Sequence, residues 1–293
     1  MTWVFLSILS AFGQALGWAL KKRSLQNRGL NNTLGLVSYL VAGIILMLWW
    51  GIATDWLIPP MSERFVWASV AIIFLNIAAV WTAYRALDRG MFSFLMPFIA
   101  FTAVLIVPIE YFLRGMIPSG AQVLGIFIVV AGAIVMTFRG LPEGITIRLV
   151  LYFSITVFCY AFSSVFGSIA IQASGDGLFS AAIYHFGIAL GFLLMTLFSG
   201  ERAMFRGLHV NGQLRNTIFF MAFAGIVIAL MENGPSSLAL EQANASEVFA
   251  LKRTMPLFAL ILGITLFHEK VTRWHILGIV LLIIGSGFVV WYK

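Results

Sequence analysis

Apolar residues run through this chain in ten long blocks separated by short polar connections. The blocks cover residues 3–20, 34–52, 65–84, 92–113, 121–138, 149–171, 178–198, 218–238, 245–267 and 274–292. Each is continuously apolar over roughly the 20 residues that a helix needs to cross the hydrocarbon core of a bilayer. Strands of a membrane barrel would instead alternate apolar and polar residues over segments of about 10. The pattern therefore predicts an all-α membrane protein with ten transmembrane helices. The first block reads as a span and not as a cleaved leader, because its basic cluster Lys21-Lys22-Arg23 follows the apolar run instead of preceding it. The short connections leave no room for a soluble catalytic domain.

Composition sharpens this picture. Of the 293 residues, 61% are hydrophobic and 10% charged, and the mean hydropathy is +1.00. Soluble domains carry roughly 45–50% apolar and about 25% charged residues. A cytosolic enzyme is excluded, and so is a disordered chain, which would be poor in hydrophobic residues. The single cysteine, Cys159, excludes a disulfide framework and a cysteine-built metal site. The net charge of +7 matters through its placement. Lys21, Lys22, Arg23 and Arg28 fall in the first connection, and Arg85 and Arg89 in the third. Arg139 and Arg148 follow in the fifth, Arg202, Arg206 and Arg215 in the seventh, and Lys270 and Arg273 in the ninth. The other side holds only Arg64, Arg114 and Lys293, a division of 13 to 3. The positive-inside rule then puts both termini outside, on the periplasmic face of an inner membrane if the cell is bacterial. The excess charge reports topology and predicts no nucleic-acid partner.

A shift of 153 residues lays Ala86-Leu87-Asp88 on Ala239-Leu240-Glu241 and Leu124-Gly125-Ile126 on Leu277-Gly278-Ile279, with Gly132 on Gly285. Within each copy the two glycines recur seven residues apart on one helical face, which suits close helix packing in lipid. The shift predicts two five-helix repeats, residues 1–143 and 144–293. Five is an odd number of crossings, so the second copy enters the membrane the other way up. Inverted repeats of this kind are a common frame for alternating-access carriers, with the site near the midplane.

The run from Ser246-Glu247 through Lys252-Arg253-Thr254-Met255-Pro256 to His268-Glu269-Lys270, and on to Leu277-Gly278-Ile279, resembles the signature of EamA-type proteins of the drug/metabolite transporter superfamily. Family members carry a similar proline in the ninth span, a Gly-Glu-Arg-like turn before the tenth, and a glycine in the tenth. Here His268 replaces the turn glycine and Lys270 the arginine, while the first repeat has Gly115-Met116 where an acidic residue is usual. The resemblance implies ten helices and carriage of small organic solutes. Many members keep their termini in the cytoplasm, opposite to the charge count, and the charge count is retained here.

Ionisable groups inside a span are costly and need a reason. Lys252 and Arg253 lie about seven residues into the ninth block, about 10 Å along a helix. Arginine can hold a phosphate or carboxylate bidentately and lysine adds a compact charge, so the pair reads as an anion site. Snorkelling to the interface, or pairing with a glutamate, is the plain alternative. The pair also resembles the phosphate-binding dyad of plastid triose-phosphate translocators in the same superfamily. Glu232 sits mid-span in Met231-Glu232-Asn233-Gly234-Pro235, where glycine and proline interrupt the helix. A carboxylate there can bind a cation, take up a coupling proton, or neutralise Lys252 or Arg253 in an internal salt bridge.

Asn233, Gln14, Trp18, Asn76, Trp81, Tyr84, Tyr184 and His185 complete the expected lining of a cavity. Trp18 and Tyr84 read equally well as interfacial belt residues, Asn76 as a bond between helices, and His185 as a satisfied structural group. Glu110 and Arg114, four residues apart, read as a pair near a membrane face. No phosphate-cradling loop ending in Gly-Lys-Ser/Thr and no G-x-S-x-G motif occurs. The expected function is a secondary-active carrier that moves a small polar organic metabolite, favoured as anionic or phosphorylated, by alternating access. It would need membrane lipid around it and no cofactor beyond a coupling proton. The runner-up is a flippase for an anionic or lipid-linked substrate. An intramembrane enzyme would gather carboxylates or histidines near one face, whereas the four histidines are scattered; a channel would show conductance well above carrier turnover. Ten spans suffice to enclose a site in one chain, so a monomer would serve.

Overall fold

The computed structural model describes residues 2–25, 30–88, 92, 96–115, 117, 119–139, 146–201, 212–270 and 272–291. Arg28, Arg89, Met116, Arg202, Arg206, Lys293 and the expected boundary between residues 143 and 144 lie outside the described residues. All ten apolar blocks carry helix. The first three spans are single helices, α1 (Thr2–Leu25), α2 (Asn31–Thr54) and α3 (Glu63–Leu87). The fourth contains a 3-10 turn, Met96–Phe101, and continues as α4 (Thr102–Arg114); α5 (Gly120–Arg139) is the fifth. The sixth and seventh are α6 (Ile147–Ser174) and α7 (Gly177–Phe198). The eighth runs as α8 (Gly212–Val227), a π-helical turn (Ile228–Asn233) and α9 (Gly234–Leu240). The ninth is broken into α10 (Ala245–Lys252) and α11 (Met255–Phe267), and α12 (Arg273–Trp291) is the tenth. Among the described residues, seven helical segments are long and apolar enough to cross a membrane by length and composition alone, and shorter apolar helices accompany them.

Local chemistry sets the helix ends. Ser62 caps α3 by accepting the Phe65 N–H at 3.2 Å, and Asp176 caps α7 by accepting the Phe179 N–H at 2.8 Å. Asn244 and Glu247 form a capping box at the start of α10. Gly115 and Gly175 close α4 and α6 at φ 66 and 75, a left-handed conformation that costs glycine little. One boundary departs from the apolar pattern. α1 runs on to Leu25, so Lys21, Lys22 and Arg23 are helical and do not form a connection. Lysine and arginine are good helix formers, and no glycine or proline stands between Leu20 and Leu25 to stop the turn.

Packing follows a reciprocal scheme. α2 lies along α7, α3 lies along α6, and α1 lies along the eighth span. Hydroxyls of Thr82 and Thr156, 2.7 Å apart, tie α3 to α6. α5 and α12 touch through backbone: a Cβ on Gly132 would stand 2.7 Å from the Gly278 carbonyl oxygen, and one on Gly285 would stand 2.6 Å from that of Gly125. Low residue numbers on one helix meet high numbers on the other, so these two helices run antiparallel. Shifted by 153 residues, each of the two contacts becomes the other. Outward-facing side chains are apolar, with Phe74, Phe127, Phe158 and Phe198 all exposed, as lipid contact requires.

Candidate functional site

The site begins with a stripe on α1. Ser10, Gly13, Gln14, Gly17 and Lys21 recur at helical spacing, so they share one face. At Gly13 that face meets the eighth span so closely that a Cβ would overlap the Met231 carbonyl. The meeting point is the π-helical turn. Pro235, just beyond it, has no N–H to offer the ladder, and π turns of this kind recur at functional sites. Ser10 Oγ donates to the Glu232 carbonyl at 2.7 Å and so holds the distorted turn to α1. The Glu232 carboxylate then points along α1: its Oε2 would lie 3.7 Å from a Cβ on Gly17, and the Gln14 amide hydrogen-bonds it.

The ninth span supplies the cations. α10 ends at Lys252, Arg253 and Thr254 bridge the gap, and Pro256 sits in the first turn of α11, where its missing N–H costs nothing. Lys252 and Arg253 are each only 3% exposed. Arg253 donates from one terminal nitrogen to the Ile99 carbonyl at 2.9 Å, while its Nε has no partner among the described residues. Lys252 Nζ lies 5.2 Å from the centre of the Phe249 ring. Ile99 belongs to the 3-10 turn of the fourth span, so the two broken spans meet at their breaks. The breaks correspond under the internal shift: α4 starts at Thr102 and α11 at Met255, 153 residues apart. Both helices present their N-terminal, partially positive ends to this level.

Between these elements lies a cavity. Of the residues expected from sequence, Gln14, Asn76, Tyr184, His185, Glu232, Asn233, Lys252 and Arg253 line it. Asn76 donates to the Ile72 carbonyl at 3.0 Å and to Ser163 Oγ at 2.5 Å, so it also joins α3 to α6. His185 is fully occupied. Its Nδ1 lies 2.7 Å from the Ala181 carbonyl and its Nε2 lies 3.1 Å from the Asn233 amide nitrogen. The first contact needs a proton on Nδ1 and the second an acceptor at Nε2, which defines the neutral imidazole.

Trp18, Tyr84 and Trp81 stand away from the lining. Trp18 and Tyr84 meet edge to face, with ring centres 5.9 Å apart, in the wall beside the cavity. Trp81 stacks under the Arg85 guanidinium at 4.1 Å and meets Tyr152 at 6.4 Å. Glu110 and Arg114 do pair, at 3.0 Å.

Sequence reasoning missed Tyr39, Tyr160, Ser163 and Ser164 in the lining, and Lys21 in the wall. Lys21 is 2% exposed and faces the rings of Trp18, Tyr39 and Tyr84 at 4.5, 4.9 and 5.7 Å. Its position seven residues after Gln14, two turns along one face, was the available signal. The adjacent basic residues hid it by making the segment look like a connection. Hydroxyls, amides and buried cations together give the cavity the means to hold a polar, negatively charged molecule.

Fold and cavity define a polytopic helical membrane protein with a charged chamber among its spans. The model of the EamA-like transporter family matches residues 147–291, and this stretch of the chain is that of an EamA-type membrane transporter of the drug/metabolite transporter superfamily. A solved crystal structure of another protein superposes with a TM-score of 0.70 at 14% identity, over 98% of this chain and 95% of that one. At that identity the likeness is one of fold. No curated protein matches the sequence.

Proposed function

We propose that this transporter is a secondary-active carrier of a small polar organic anion, working by alternating access. Two inverted five-helix repeats, residues 1–143 and 144–293, would rock about the chamber and open it to each side in turn. The reciprocal contact of α5 with α12 and the matching breaks at Thr102 and Met255 support the repeat. The observation that carries the choice of an anion is the pair Lys252 and Arg253. Both are buried on the chamber, and neither forms a salt bridge among the described residues. Unpaired buried cations are costly, and an entering carboxylate or phosphate relieves that cost. Glu232 balances part of the charge and is the group placed to take up a coupling proton, since both ring nitrogens of His185 are engaged.

The test is uptake into liposomes containing the purified protein, with radiolabelled organic acids and sugar phosphates offered under an imposed proton gradient. Accumulation of at least one of these anions is expected, and the double change Lys252→Gln, Arg253→Gln should abolish it. Undiminished flux in the double variant would sink the anion site.

A further inference from the structure

α3 and α6 run side by side, and polar bonds close only part of their seam. Asn76 bonds Ser163 and Thr82 bonds Thr156, both past the midpoint of α3. Toward the start of α3 the seam opens into a groove of about 570 Å³. Small-molecule sites commonly hold about 300–1,000 Å³. The body of the groove is apolar, with Trp67, Ala68 and Ala71 from α3 and Phe166 and Ile169 from α6. The two alanines make the hollow, because their side chains end at Cβ while the rings of Trp67 and Phe166 rise beside them.

Its mouth carries charge of both signs. Glu63 and Arg64, the first two residues of α3, line it. Arg64 shares a helical face with Trp67, Ala68 and Ala71, three, four and seven residues further on. No salt bridge joins Glu63 to Arg64 or engages either elsewhere among the described residues. The Glu63 carboxylate accepts the indole N–H of Trp67 at 3.4 Å. The connection that leads into α3 presents Trp56, Leu57, Ile58 and Met61, all exposed, and Trp67 is exposed as well. Tryptophan concentrates where headgroups meet hydrocarbon. The charged mouth is therefore level with lipid headgroups, and the apolar groove descends beside the acyl chains.

We propose that this groove is a binding site for one phosphatidylethanolamine molecule. Arg64 takes the lipid phosphate, which suits the forked donors of a guanidinium. Glu63 takes the ammonium, and an acyl chain lies over Ala68 and Ala71 against Phe166. Opposite charges that leave each other unpaired match a headgroup that bears both. An anionic lipid would satisfy Arg64 but meet repulsion from Glu63. The lipid braces α3 against α6 where no polar bond does so. None of the groove residues lines the chamber, so this inference stands apart from the anion reading.

Native mass spectrometry of the full-length protein, stripped of lipid in detergent, tests this with the dioleoyl forms of phosphatidylethanolamine, phosphatidylcholine and phosphatidylglycerol. One phosphatidylethanolamine per chain should be retained, about tenfold more tightly than phosphatidylglycerol, the equivalent of one hydrogen bond between charged groups. Phosphatidylcholine, whose methylated ammonium donates no hydrogen bond, should fall between them. Arg64→Gln should weaken phosphatidylethanolamine about tenfold, and Glu63→Gln should bring phosphatidylglycerol level with it. Ala71→Phe should fill the groove and abolish retention. The same lipid should raise the melting temperature of the unaltered protein and leave that of Ala71→Phe unchanged. Phosphatidylglycerol held as tightly as phosphatidylethanolamine by the unaltered protein would overturn the proposal, as would retention undisturbed by Ala71→Phe. A dimer that Ala71→Phe dissolves would make a second copy of the chain the occupant, and would overturn it too. Should Ala71→Phe fail to fold, the two mouth variants decide: an unchanged order and strength of lipid binding in both sinks the site.

Discussion

His268 ends α11 in the left-handed conformation, at φ 53, and Gly115 ends α4 in the same conformation, at φ 66. The two positions are 153 residues apart. A side chain costs energy in this region, and glycine does not. His268 therefore carries strain that Gly115 avoids, which gives physical meaning to the departure from the Gly-Glu-Arg-like turn. His268→Gly should raise stability by up to about 1 kcal/mol, and Gly115→Ala should lower it by about the same amount. Melting of the purified protein in detergent checks both, and a fall for His268→Gly would show that its side chain contributes more than its backbone costs. The charged residues teach a related lesson at this scale. Lys252, Arg253 and Glu232 stood out in the sequence because they interrupt apolar runs. Lys21 did not, because it abuts residues that could equally belong to a loop.

The broken fourth and ninth spans hold each other at both ends. Glu110, near the end of α4, pairs with Arg114 at 3.0 Å and accepts the Ser246 N–H at the start of α10 at 3.2 Å. Glu269, just beyond α11, pairs with Lys22 at 3.2 Å and accepts the Phe92 N–H at 2.8 Å. Each carboxylate thus serves backbone donors at the opposite end of the partner span, where the helix dipole favours negative charge. The i,i+4 pair of Glu110 and Arg114 was legible in the sequence. Its bond to Ser246, across 136 residues, was not. Glu110→Gln and Glu269→Gln should each lower stability by about 1.5–3 kcal/mol, the range for hydrogen bonds to charged groups. Denaturation followed by tryptophan fluorescence measures this. If either change were neutral, the corresponding glutamate would not be holding its partner span.

At the scale of the whole molecule, the expected orientation rests on loop charge, and the structure changes which charges count. Lys21 is buried in the wall and Lys22 is paired with Glu269, so neither is a free loop charge. The remaining basic residues still favour the same side, and both termini are expected outside. A reporter fused to the C-terminus should be active outside the cell membrane, and activity in the cytoplasm would refute this orientation. Local sequence was enough to place ten apolar helical blocks, to show the family resemblance and to single out the Lys252-Arg253 pair. These follow from local properties, since the thickness of the bilayer fixes how long an apolar run must be. Which polar residues meet follows from how the helices pack. Whether a helical side chain faces lipid, a neighbour or a cavity depends on how the helix is rotated and what packs against it. Those neighbours are remote in sequence, as with Ser10 and Glu232, bonded across 222 residues. That is why Lys21 joined the chamber wall while Trp81 stayed outside the lining, although the sequence offered the opposite assignment for each.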